Sequence, residues 1–72
     1  MNTKEEAKKW IEEGRPCKYQ CGFTWKGARS RPIDKEEALK LLPKYDFGMG
    51  FWELRFDGSS LIFNEFTESD MF

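Results

Sequence analysis

The sequence predicts an α+β domain: a four-stranded, mainly antiparallel sheet with two helices on one face, in the order α-β-β-α-β-β. Three observations carry that expectation. Two helix openings have matching caps, residues 17–25 alternate with period two, and Asp57-Gly58 lies between two strand-like runs.

The first helix is expected over residues 3–14. Thr3 suits the N-cap and Glu6 falls at N3, so each side chain can satisfy an orphan backbone N–H of the other. Ala7, Trp10 and Ile11 then share one face. Gly14 suits the position just past the helix, and Pro16 blocks continuation. In the alternating segment, Cys17, Tyr19, Cys21, Phe23 and Trp25 face one way and Lys18, Gln20, Gly22 and Thr24 the other, as in a half-buried strand. Lys26-Gly27 can turn the chain into a second strand over Ala28–Ile33. Pro32 there cannot donate to a ladder, which assigns that strand to an edge.

Asp34 and Glu37 repeat the capping logic, with Ile33 placed as a hydrophobic staple. Ala38, Leu41 and Leu42 form the apolar stripe, widened by Leu39, and Pro43 ends the helix. Lys44–Gly50 reads as a loop. Phe51–Phe56 and Ser59–Phe66 then form a hairpin about Asp57-Gly58, a favoured type I′ pair. A two-residue turn would pair Phe56 with Ser59, Leu54 with Leu61 and Trp52 with Phe63. Trp52, Leu54, Phe56, Leu61 and Phe63 would then share one face. At an offset of 31 residues, Lys4–Ala7 falls on Lys35–Ala38 and Gly27 on Gly58. That overlap fits either an internal αββ duplication or a chance recurrence of a common helix opening.

Composition narrows the function classes. The chain has 72 residues, read as one small domain (1–72) with a short tail at 67–72. A domain of this size buries only about 60% of its unfolded surface. With no His, it lacks Ser-His-Asp or Cys-His catalysis and any His-containing zinc site. A net charge of −1 gives no simple electrostatic case for nucleic acid. No apolar run approaches the roughly 20 residues of a membrane span, and Met1–Glu6 has no apolar signal-peptide region, so a soluble cytoplasmic protein without membrane contact is expected. Cys17 and Cys21, four residues apart on a strand, lie about 13 Å apart, too far for a disulfide. They read as buried reduced thiols on the apolar face. No metal and no cofactor is expected. Ser59-Ser60 has no base to activate it, and neither Glu53 nor Glu65 has an apolar pocket to raise its pKa, so no catalytic constellation is evident.

Aromatics and charge point toward binding. Three Trp, two Tyr and seven Phe make 17% of the chain. Trp10, Tyr19, Phe23, Trp25, Trp52, Phe56 and Phe63 are assigned to one core; Phe51, Phe66, Phe72, Tyr45 and Phe47 have no place in it. The expected function is therefore a non-enzymatic protein-interaction module, an adaptor, regulator or inhibitor that binds a protein partner or a second copy of itself. Its interface would comprise Phe51, Arg55, Ile62, Phe66 and Phe72, because aromatics and Arg dominate interface hot spots. The alternative is nucleic-acid binding. Residues 15–31 carry five cations and no acid, and Lys18, Lys26, Arg29 and Arg31, with Trp25 to stack a base, would grip a phosphate backbone. Residues 46–72 carry six acids against Arg55 alone, so the two halves would otherwise complement each other.

Overall fold

The computed structural model describes residues 2–22, 27, 29–48 and 50–66. Helix α1 spans Lys4–Glu12, strand β1 Cys17–Cys21, strand β2 Ser30–Ile33 and helix α2 Lys35–Leu41. A single 3-10 turn, Leu42–Lys44, leads into strands β3 (Asp46–Phe47), β4 (Trp52–Phe56) and β5 (Leu61–Glu65). Both caps form as the sequence implies. The Glu6 N–H donates to Thr3 Oγ1 at 3.3 Å, and the Glu37 N–H donates to Asp34 Oδ1 at 2.8 Å. Gly14 follows α1 at φ +75, a conformation that disfavours other residues.

The sheet differs from the expected one. It has five strands in the order β2-β1-β5-β4-β3 and is mixed rather than mainly antiparallel. β1–β2 and β4–β5 are antiparallel, whereas β1–β5 and β3–β4 are parallel. The fifth strand is Asp46–Phe47, inside the segment read as loop. β2 lies at an edge, where Pro32 requires no ladder partner. β5 takes the centre of the sheet, and its Leu61-Ile62-Phe63 run is buried on both faces. Backbone bonds extend the parallel seam at both ends: Leu61 N–H to Pro16 O at 3.1 Å, and Gly22 N–H to Glu65 O at 2.8 Å.

The hairpin register is also corrected. Phe56 pairs with Leu61, Leu54 with Phe63 and Trp52 with Glu65, two residues from the expected alignment. A type I′ turn on Asp57-Gly58 needs positive φ at both residues, yet no described non-glycine residue has one. The turn instead centres on Gly58-Ser59, with Gly58 at φ +97 and the Asp57 N–H donating to Ser60 O at 3.3 Å. The Asp57 carboxylate accepts the N–H groups of Ser59 (2.9 Å) and Ser60 (2.7 Å), which holds its pKa below the ordinary carboxylate range. A slip of two keeps every side chain on its expected face, but moves each one along the sheet.

Topology excludes a structural αββ duplication. Carrying β1 onto β4 and β2 onto β5 preserves the order across the sheet but reverses strand direction. A rotation that does both must invert the sheet's faces and send the second helix to the opposite side. Instead, Ala7 and Ile11 of α1 and Ala38 of α2 join one cluster with Cys17, Leu54, Leu61 and Phe63.

That cluster is the core, closed by Leu42 and Tyr45. Trp10 packs at its margin, edge-on to Phe56 at 4.9 Å, with its indole N–H donating to Pro16 O at 2.8 Å. The aromatic assignment changes in both directions. Trp52 is 52% exposed, while Tyr45 and Phe66 are buried. Phe23, Trp25 and Phe72 lie outside the described residues. Cys17 is buried but Cys21 is exposed, correcting the expectation of two buried thiols; both are free. On the sheet's second face Gln20 and Asn64 are buried side by side in register, and among the described residues neither polar atom of the Asn64 amide has a hydrogen-bond partner.

Candidate functional site

One row of side chains runs across the helix-facing side of the sheet at its open end: Cys21 on β1, Glu65 on β5 and Trp52 on β4. In the next row inward stand Tyr19, Phe63 and Leu54. The helices cover the inner row. Pro43 stops the α2 segment short of the outer one, and the chain leaves through the 3-10 turn that carries Lys44. Tyr45 then turns inward and packs edge-on against Phe63 at 5.3 Å.

The result is a cleft of about 680 Å³ between the sheet end, α2 and the 3-10 turn. Its sheet wall is formed by Tyr19, Arg31, Trp52 and Glu65, and its opposite wall by Glu37, Leu41, Lys44 and Tyr45. Register places Arg31 directly opposite Tyr19, and its guanidinium lies over that ring, 5.1 Å from the centroid. The capped start of α2 brings Glu37 within reach, so Arg31 Nη2 donates to Glu37 Oε1 at 3.0 Å. Along the same wall, the Tyr19 hydroxyl donates to Glu65 Oε2 at 2.6 Å. That bond, aided by partial burial, pushes the Tyr19 pKa well above the ordinary tyrosine range. Burial alone is the main cause raising Tyr45. Among the described residues, the Lys44 ammonium has neither an ion-pair nor a hydrogen-bond partner.

The Tyr19 hydroxyl is held protonated, and Glu65 is occupied as its acceptor. Among the described residues no group of three or more His, Cys, Asp or Glu side chains converges to hold a metal ion. No described helix is long and apolar enough to cross a membrane.

The residues named from sequence fall in different places. Phe51, Arg55, Ile62 and Phe66 share the second face of the sheet by alternation, and the Phe66 N–H donates to Phe51 O at 2.7 Å. Phe51 and Arg55 are exposed, while Ile62 and Phe66 are buried. Of the basic set, Lys18 is half-buried and Arg29 and Arg31 are exposed; Trp25 and Lys26 lie outside the described residues. Only Arg31 reaches the cleft.

Sequence reasoning did not single out the remaining cleft residues as a site, although one signal was present. On the core-facing parity of β5 the series Leu61, Phe63, Glu65 ends in a charge, and on β2 the partners Ile33 and Arg31 do the same. A charge on an apolar parity marks where helix cover stops. Comparison of the chain with protein-family models, curated proteins and solved structures gives no significant match in any of the three.

Proposed function

We propose that this protein is a non-enzymatic protein-interaction module that holds a partner at the open end of its sheet. One observation supports the reading above the others. Trp52, 52% exposed, lines the cleft, and its neighbour Phe51, 45% exposed, stands on the opposite face, in a chain whose other described aromatic rings are buried or half-buried. Large aromatic rings are among the residues that supply most interface energy. Two free cysteines, one of them exposed, fit the reducing environment of the cytoplasm, the location that accompanies this reading.

The test is a Phe51→Ala, Trp52→Ala double substitution, which removes the two most exposed aromatic rings among the described residues. A partner captured by the wild-type chain should be lost by the variant, while the thermal melt stays unchanged. Capture that survives the double substitution would overturn the reading. Light scattering on the same two proteins identifies a second copy of the chain as the partner if wild type dimerises and the variant does not. For nucleic acid, no observation among the described residues favours the alternative, since Arg31 is occupied by Glu37 and Tyr19.

A further inference from the structure

We infer that the cleft takes an uncharged segment of a protein partner, an apolar side chain lying on Trp52 and the backbone amides beside it bonding to the polar groups of the walls. The inference rests on the interaction-module reading and assigns the ligand chemistry of that same site.

The arrangement of charge disfavours a charged occupant of either sign. Each wall carries one cation and one carboxylate: Arg31 and Glu65 on the sheet side, Lys44 and Glu37 on the side of α2 and the 3-10 turn. The four charges cancel. A carboxylate or an ammonium that enters meets two like charges and two opposite ones, so attraction and repulsion nearly balance. It still sheds part of its hydration shell, and a charge taken out of water without a dedicated partner is unfavourable. An uncharged group avoids that cost.

The polar groups left over fit an amide. Glu65 accepts the Tyr19 hydroxyl through Oε2 alone, and Glu37 accepts Arg31 Nη2 through Oε1 alone, so among the described residues each carboxylate keeps one unused oxygen. Arg31 keeps further N–H groups, because a guanidinium carries five donors, and the Lys44 ammonium offers three. Spare acceptors beside spare donors match the peptide unit, which presents one N–H, one C=O and no charge. The shape adds an apolar requirement. Leu41 and Tyr45 line the wall opposite Trp52, which is 52% exposed, and an apolar side chain placed between them leaves water together with the ring. The volume, about 680 Å³, falls in the range of ordinary ligand pockets and admits a short peptide segment.

The probe is a blocked tetrapeptide, acetyl-Gln-Phe-Leu-Gln-amide, titrated into the isotopically labelled full chain and followed by the Trp52 indole N–H and Leu41 methyl signals. Its counterparts carry Glu or Lys in place of both Gln. The Gln peptide should bind about fivefold more tightly than either charged one, with an affinity that salt hardly changes. Trp52→Ala should weaken it about tenfold. Lys44→Glu leaves one cation against three carboxylates and should hand the preference to the Lys peptide. Lys44 and Trp52 are exposed, so these variants keep the fold, and a matching thermal melt checks it. A charged peptide that binds wild type as tightly as the Gln peptide, or a preference indifferent to Lys44→Glu, overturns the uncharged ligand yet leaves the module reading intact. Absence of binding by all three peptides at millimolar concentration also overturns the inference, while the module reading stands or falls on the Phe51/Trp52 capture experiment. Peptide binding that appears only as a self-associated chain is diluted would give the cleft to a second copy, and overturn it too.

Discussion

Two rows on the same side of the same strands have opposite fates. Phe63 and Leu54 lie under the helices, 0% and 2% exposed, and Tyr19 beside them is half-buried at the cleft wall. Two residues further along each strand, Cys21 is exposed, Glu65 is half-buried and Trp52 is 52% exposed. Alternation is identical in the two rows, so strand periodicity alone does not decide burial. What decides it is the length of the cover. α2 runs only from Lys35 to Leu41 before Pro43 tightens it into a 3-10 turn, and the outer row is left facing a cleft. The inner row is packed, and the outer row is left open to solvent.

The sharpest way to break this contrast is in the inner row. Phe63 is the largest fully buried side chain and packs edge-on against Tyr45. Phe63→Ala should cost about 3–5 kcal/mol in urea unfolding, most of the stability a chain of this size commands. Phe63→Leu, which keeps most of the volume, should cost clearly less and give a complete transition. A loss below about 1 kcal/mol for Phe63→Ala would mean that the inner row is not the packed centre.

The reverse side of the sheet gives the next effect, with the opposite sign. Asn64 is 0% exposed, pairs in register with Gln20 and Glu53, and leaves both amide atoms unpartnered among the described residues. A buried unsatisfied polar group costs about 1–3 kcal/mol, so Asn64→Val should raise stability by a comparable amount in the same urea experiment. Destabilisation would show that the amide is satisfied in solution.

Much of this architecture is legible in the sequence, and its failures have physical causes. Helix starts depend on local chemistry, and Thr3, Glu6, Asp34 and Glu37 fall where capping requires them. Face assignments depend on parity, which survived a register slip of two. Strand neighbours depend on contacts distant in sequence, and there the pattern misled. Leu61-Ile62-Phe63 is a continuous apolar run, the mark of a strand buried on both faces. Read only as half of a hairpin, it conceals the parallel partnership with β1. The slip itself came from the turn, where Asp57 keeps negative φ and uses its carboxylate to cap Ser59 and Ser60. Half of the candidate site follows from that single displacement, because Trp52 in the expected register would have faced Phe63 rather than Glu65.

A smaller effect tests the link between the two rows. Tyr19 stands in the inner row, but its hydroxyl reaches Glu65 in the outer one. Replacing it, Tyr19→Phe, should cost about 0.5–1.5 kcal/mol near neutral pH, the usual net worth of one hydrogen bond. The pH dependence has a fixed sign. Folding raises the Tyr19 pKa, chiefly through that bond, so the unfolded chain releases the proton first. The contribution is therefore present below the unfolded tyrosine value of about 10 and declines as pH rises through the folded one. Wild type should lose stability above about pH 10 more steeply than Tyr19→Phe, with Cys17 and Tyr45, both raised by burial, contributing to the slope that remains. Parallel curves for the two proteins would show that the Tyr19–Glu65 bond does not persist in solution.

The smallest expected effect on stability is also the most informative about function. Trp52 occupies the position that alternation reserves for a core residue, yet half of its surface is in water, so truncation removes little packing. Trp52→Ala should shift the unfolding free energy by no more than about 0.5 kcal/mol, the ordinary range for surface substitutions. The same truncation of Phe63, two rungs away on the same side of the sheet, should cost several-fold more. A chain gains little in folding from an exposed tryptophan, and an exposed ring at a cleft carries a standing risk of unwanted association. If stability is indifferent to Trp52 while partner capture depends on it, the ring serves binding alone. A large stability loss would instead return Trp52 to the core and close the outer row as a site of contact.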